Sequence, residues 1–202
     1  MPLLNRIIMN ICIFPGTFNP IHNAHIKMAE FALNEFGFDK IIFIPSYIPP
    51  HKDVDKKLAE HRYNMVKLAT ANNKKFEVSD IEYKSGGKSG GKSYSIITVK
   101  KIIEQYNITG RLNFIIGTDA FVNLDSWYKS EELKNLVHFI VFPRAGAGDE
   151  KVYREFKQNG WDFEPVNCPM MDISSTEIRT SGHNYINKNV EDYIEENGLY
   201  KA

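Results

Sequence analysis

The stretch Ile11-Cys12-Ile13-Phe14-Pro15-Gly16-Thr17-Phe18-Asn19-Pro20-Ile21-His22-Asn23-Ala24-His25 passes from an isoleucine-rich run, through two prolines and a glycine, into an amphipathic segment. The apolar run, taken as Ile7–Phe14, has the branching and length of a buried strand. Ala24–Phe36 then puts Ile26, Ala29, Leu33 and Phe36 on one helical face, and Gly37 ends it. A buried strand, a tight turn and a helix make the first half of a βαβ unit.

The same alternation continues outward from this unit. Lys40–Pro45 reads as a second strand, and the proline-containing Ser46–Lys56 as a loop. Lys57–Ala71 is expected to be helical, with Leu58, Met65 and Ala69 in phase. Phe76–Tyr83 is strand-like and half polar, and Lys84–Ser93 is a Gly/Ser/Lys loop. Tyr94–Tyr106 is a helix on the spacing of Ile96, Val99, Ile103 and Tyr106. Leu112–Ile116, Val137–Phe142 and Trp161–Val166 are strands, and short helices follow near Ser174–Ser181 and Val190–Asn197. Strands alternating with helices predict an α/β fold: a Rossmann-like, doubly wound parallel sheet with helices on both faces. Ligands in such folds sit beyond the carboxyl ends of the strands, near the switch point of the strand order.

The 202 residues are enough for one domain with a substantial core, and residues 1–8 read as an extension or an upstream start before Met9. The chain carries 25 basic and 25 acidic residues, so no global charge draws it to nucleic acid or to a membrane. Any phosphate must be held by a local site. Cys12 and Cys168 have no CxxC spacing, which suggests a reducing cytoplasm rather than a disulfide framework. No apolar run reaches the length of a membrane span. Oligomeric state is not encoded in any pattern of this kind.

The chemistry concentrates in the first strand-to-helix turn. Gly16 permits close backbone approach to a ligand. Thr17 offers a hydroxyl. The first amides of the following helix, with its dipole, favour an anion. His22 and His25 lie three apart, on one side of that turn, and imidazoles there can donate to phosphate oxygens. Two ordinary histidines at a helix start would be the bland alternative. Zinc has no support from a Cys cluster or an HExxH pattern. Ile173-Ser174-Ser175-Thr176-Glu177-Ile178-Arg179 reads as a capping box, and its amides, hydroxyls and Arg179 could equally hold an anion.

These segments resemble the two signatures of the nucleotidyltransferase superfamily of adenylyl- and cytidylyltransferases. Thr17-Phe18-Asn19-Pro20-x-His22-x-Ala24-His25 is similar to its (S/T)-F-(D/N)-P-x-H-x-G-H motif, and Ile173–Arg179 to its I-S-S-T-x-I-R motif. Pro15 stands where a second glycine is common, and Ala24 where glycine is usual. Further elements resemble the nicotinate mononucleotide adenylyltransferases in particular: Pro45–Lys52 ending in Pro-Pro-His-Lys, Ser93-Tyr94-Ser95, Gly117-Thr118-Asp119 with Leu124 and Trp127-Tyr128, and Phe142-Pro143-Arg144. The resemblance implies adenylyl transfer from ATP to nicotinate mononucleotide, in NAD biosynthesis. It implies His22, His25 and Arg179 as catalytic groups. It places Gly16, Thr17, Phe18, Asn19, Gly117, Asp119, Ile173, Ser174, Ser175 and Thr176 at ATP. Lys52, Ser93, Tyr94, Ser95, Trp127, Tyr128 and Arg144 would meet the acceptor. Mg²⁺ would arrive with ATP.

Alternatives stand beside each element. Trp127 could be a rim aromatic, Asp119 a helix cap, and Lys52 and Arg144 solvated charges. Nicotinamide mononucleotide or phosphopantetheine could be the acceptor, or the fold could serve an inert nucleotide sensor. Gly86–Ser93 also satisfies the G-x-x-x-x-G-K-S pattern of a P-loop NTPase, although the strand before it is polar and the segment repeats Gly-Gly-Lys-Ser.

Overall fold

The computed structural model describes residues 9–50, 55–84, 91–143, 150–168, 173–181 and 185–200. Six parallel strands form one sheet: β1 (Ile11–Gly16), β2 (Lys40–Pro45), β3 (Phe76–Val78), β4 (Leu112–Gly117), β5 (Val137–Phe142) and β6 (Phe163–Pro165). Their order is β3-β2-β1-β4-β5-β6, so the chain reverses direction across the sheet between β1 and β4. That reversal is the switch point at which such sheets place their ligands. Among the described residues no helix is long and apolar enough to cross a membrane.

Alternation along the strands sorts the core into two layers. Cys12, Phe14, Ile41, Phe43, Ile115 and Ile140 face one side, under α1 (Asn23–Glu35), α2 (Leu58–Thr70) and the later helices α7 (Ser175–Ser181) and α8 (Lys188–Glu196). Ile11, Ile13, Ile42, Ile44, Phe114, Ile116, Phe139 and Val141 face the other. That layer is covered by α3 (Ser95–Tyr106), α5 (Ser130–Leu136) and α6 (Glu150–Gln158), with the short α4 (Thr118–Phe121) opening directly from β4. Both faces of the sheet are therefore buried, which is why its strands read as nearly continuous apolar runs.

Three features differ from the sequence reading. The first strand leaves out Met9 and Asn10, begins at Ile11 and runs past Phe14 to Gly16, while Ile7 and Ile8 lie outside the described residues. Pro15 fits inside it because β4 pairs with β1 only at Cys12 and Ile13, while β2 follows as far as Gly16. A proline lacks a ladder donor, and here it lies beyond the register of one neighbour. The strand expected over Phe76–Tyr83 stops at Val78. Ser79 Oγ then accepts the Ile81 N–H at 3.3 Å, and residues 81–84 turn into a helical turn closed by Lys84 N–H to Asp80 O. Ser and Asp compete with the ladder in this way. Helices α5 and α6 had no clear signal; α6 buries only Phe156 among its described residues.

Candidate active site

The turn after β1 is built around a ring folded back on a glycine. Phe18 has a positive φ of 47°, and its ring lies over Gly16. A Cβ at Gly16 would stand 2.7 Å from Phe18 Cζ, so no other residue fits without moving that ring. Phe18 is 2% exposed and meets Phe14 and His25 edge-on, at 5.5 and 5.0 Å between ring centres. It lies beneath the turn as its support.

His22 is the N-cap of α1 and is buried; His25 is half-buried one turn on. The His22 N–H donates to His25 Nδ1 at 3.2 Å, and the two rings lie 3.7 Å apart between centres, tilted by 33°. Because His25 Nδ1 accepts, the proton of its neutral form sits on Nε2, the atom able to donate. The expectation of open helix amides is narrowed here. Asn23 N–H donates to Tyr185 O at 2.8 Å, and His25 N–H returns to His22 O at 2.9 Å. Anion recognition at this helix start therefore falls more on the imidazoles than on those amides.

The second motif meets the first directly. Ser174 caps α7 as the sequence suggested: its N–H and Oγ both lie 2.7 Å from Glu177 Oε2, and Glu177 N–H returns to Ser174 Oγ at 3.2 Å. Ser175 Oγ donates to Pro20 O at 3.0 Å. Arg179 Nη1 donates to Asn19 O at 2.6 Å and to Ser175 O at 3.1 Å, while its Nη2 reaches Thr176 Oγ1 at 3.2 Å. Ile173 packs against the core beside it. Two segments some 155–160 residues apart are thus joined into one wall.

The loop after β2 forms the adjoining wall. Ser46 donates twice to Gly16 O, from N–H at 2.9 Å and from Oγ at 3.1 Å. Ser93 Oγ accepts from the Tyr47 and Ile48 amides at 3.0 and 3.2 Å, and Ser93 N–H donates to Ile48 O at 2.7 Å. Ser93 therefore locks two loops together. Tyr94 is the N-cap of α3, Ser95 its first residue, and the Tyr94 ring lies 4.7 Å from that of Tyr128. Tyr128 is 50% exposed, whereas Trp127 is half-buried against Phe114. Gly117 is the N-cap of α4, and Asp119 lies exposed in its first turn, so Asp119 is not the cap itself. Thr118 is fully buried and donates to Phe142 O at 2.8 Å. Lys52 and Arg144 lie outside the described residues, as does most of Gly86–Ser93. The strand that precedes it in the chain, β3, is at the edge of the sheet and is followed by a turn at 81–84, unlike the central strand that opens directly into a P-loop.

Sequence reasoning missed Arg62. Its side chain on α2 is 0% exposed, and its guanidinium donates to Thr17 O at 2.8 Å, Ser46 O at 2.6 Å and Tyr47 O at 3.0 Å. One buried cation thus ties the turn after β1 to the loop after β2. Burial lowers its pKa, and nearby Tyr83, Tyr200 and Glu82 oppose that. Glu82 is buried too. It accepts from Thr98 Oγ1 at 2.7 Å and from Tyr47 N–H at 3.3 Å. Desolvation pushes its carboxyl pKa up, against hydrogen bonds from Ser93, Thr98 and Tyr47 and the charge of Arg62. Among the described residues no group of three or more His, Cys, Asp or Glu is arranged to hold a metal.

Comparison with known proteins places this geometry. The cytidylyltransferase-like family model matches residues 13–181. A probable nicotinate-nucleotide adenylyltransferase from Caldicellulosiruptor saccharolyticus is 37% identical over 203 residues, covering 96% of this chain and all of that one. Its counterpart from Clostridium novyi is 41% identical over 173 residues, covering 83% and 84%. In fold, the chain is similar to Plasmodium falciparum nicotinic acid mononucleotide adenylyltransferase complexed with NaAD, with a TM-score of 0.77, 24% identity and coverage of 95% and 97%.

Proposed function

From the premise that this chain belongs to the cytidylyltransferase-like family and, within it, to the nicotinate-nucleotide adenylyltransferases, we propose how its cleft divides the work of adenylyl transfer. The reaction passes the adenylyl group of ATP to nicotinate mononucleotide, giving deamido-NAD and pyrophosphate. An oxygen of the acceptor phosphate attacks the α-phosphorus in line. The bond from that phosphorus to the bridging oxygen of the β-phosphate breaks, and pyrophosphate leaves with the electron pair. The attacking oxygen is already ionised at neutral pH, so the protein supplies position and charge rather than a base.

His22 and His25 stabilise charge on the phosphoryl oxygens, with Thr17 beside them. Ser174, Ser175, Thr176 and Arg179 hold the distal phosphates. Gly117 and Asp119 face the ribose side of the nucleotide. ATP enters as its Mg²⁺ complex, the cation spreading the phosphate charge. Trp127, with Tyr94 and Tyr128, stacks the pyridine ring of the acceptor; Ser95, Lys52 and Arg144 complete its recognition. Free Cys12 and Cys168 suit a cytoplasmic setting.

What supports this reading above all is the pair of bonds from Ser175 and Arg179 to the carbonyls of Pro20 and Asn19. They hold the two segments that this reading assigns to the phosphates against each other. The test is pyrophosphate release from ATP with the acid or the amide mononucleotide as acceptor, in the wild type and in His22→Ala. The wild type should prefer the acid, and the folded variant should be nearly inactive. Amide preference would overturn the acceptor, and near-normal turnover by His22→Ala would overturn the site.

A further inference from the structure

Asn19 is where three distant parts of the chain meet. Arg179 takes its backbone carbonyl, as described above. Its side-chain Oδ1 accepts a hydrogen bond from the Tyr200 hydroxyl at 2.6 Å, across 181 residues. Tyr200 follows α8, and the path that brings it there is costly. Gly198 and Tyr200 both have positive φ, 61° and 59°. Glycine adopts that region freely, but a tyrosine does not. The strain persists because the neighbours fix the segment: Leu199 N–H donates to Ile194 O at 3.0 Å and its side chain is buried in the core. The phenol is half-buried, in the field of both Arg62 and Arg179.

An amide whose oxygen is occupied presents its nitrogen. Tyr200 thus decides which end of the Asn19 side chain remains for a ligand. We propose that Tyr200 is a positioning residue for ATP: by holding Asn19 Oδ1, it turns the Asn19 amide nitrogen towards the triphosphate. Tyr200 itself touches no substrate. The inference rests on reading Gly16–His25 as the triphosphate turn.

The test is steady-state kinetics with ATP and nicotinate mononucleotide varied separately, using the full chain as wild type, Tyr200→Phe, Asn19→Ala, the double variant and His22→Ala. Losing one hydrogen bond should raise the KM for ATP about fivefold in Tyr200→Phe. The KM for the acceptor and the Tm should stay at the wild-type values. A purely structural role would move both KM values and the Tm together. Because Tyr200 acts through Asn19, the double variant should be no worse than Asn19→Ala alone. An unchanged KM for ATP in Tyr200→Phe, equal changes for both substrates, or additive losses in the double variant would overturn the proposal. If His22→Ala is inactive while Tyr200→Phe matches the wild type, only the role of Tyr200 falls. If His22→Ala keeps its turnover, the triphosphate turn and this inference fall together.

Discussion

The two halves of the cleft are held by different means. On the proposed phosphate side, side chains of α7 reach across to backbone carbonyls of the turn after β1, and the imidazoles of His22 and His25 lie close and tilted by 33°. On the proposed acceptor side, loop is tied to loop through Ser93, Ser46 anchors them to Gly16 O, and the surface is aromatic and partly exposed at Tyr128. The common part of the chemistry, charge on phosphate, sits on a fixed frame. The variable part, the acceptor, sits on loops that rigid elements position. Arg62 donates to both halves.

Each half can be broken separately. The largest effect is expected from His22→Ala, which removes the imidazole proposed to donate to the transferring phosphate. Its kcat should fall roughly 10²–10³-fold, as for loss of an oxyanion-type donor, while the variant stays folded and loses only about 1 kcal/mol of stability with the capping side chain. Arg62→Met breaks both halves at once. It strands three half-buried carbonyls and leaves buried Glu82 without its nearby cation, so stability should drop by about 3–5 kcal/mol, read by denaturant titration. Equal loss of affinity for both substrates should accompany it. Tyr128→Ala addresses the acceptor half alone. Base stacking is worth about 1–3 kcal/mol, so the acceptor KM should rise by about tenfold while the KM for ATP holds. A change in the ATP constant instead would erase the division drawn above.

A smaller and pH-dependent effect is expected at Glu82. Its raised pKa means that the folded chain keeps the proton to higher pH than the unfolded chain does. Above the ordinary carboxyl value of about 4.5, the folded state therefore binds more protons, and stability falls as pH rises towards the raised value. Glu82→Gln lacks that slope. Plotting Tm against pH for both proteins should show the wild type losing ground to the variant across that window and running parallel above it. The smallest effect is expected far from the cleft. Glu132 pairs with Lys100 and Lys129 and its carboxyl pKa is pulled down to about 2, but all three side chains are open to solvent, at 41–54% exposed. Glu132→Gln should leave both KM values and the Tm unchanged, because exposed pairs are screened.

The local contacts of the two motifs were readable in the sequence because they span single turns. His22 and His25 are neighbours by helical spacing, and Ser174 caps Glu177 within one turn. The alternating pattern gave the doubly wound sheet for the same reason, since buried strands and one-sided helices carry their own periods. Arg62 escaped because nothing local marks it: on a helix it reads as a solvated face, and only the carbonyls of Thr17, Ser46 and Tyr47 reveal its burial. Ser93 was legible as part of an acceptor element, yet its hydroxyl accepts from Tyr47 and Ile48, a task that depends on which loops the fold brings together. The strand expected over Phe76–Tyr83 failed where Ser79 and Asp80 took over the backbone bonds.

The bond from Arg179 to Asn19 also has a meaning in time. β1 leaves the ribosome early, but the wall that completes its turn is encoded some 160 residues later. Chains emerge at about 5–20 residues per second. For roughly ten seconds or more, then, a nascent chain holds the histidine turn with its carbonyls unclaimed by α7. The proposed ATP site does not ripen strand by strand. It comes into being in one late step, when the last helices dock back onto the face of the sheet made first.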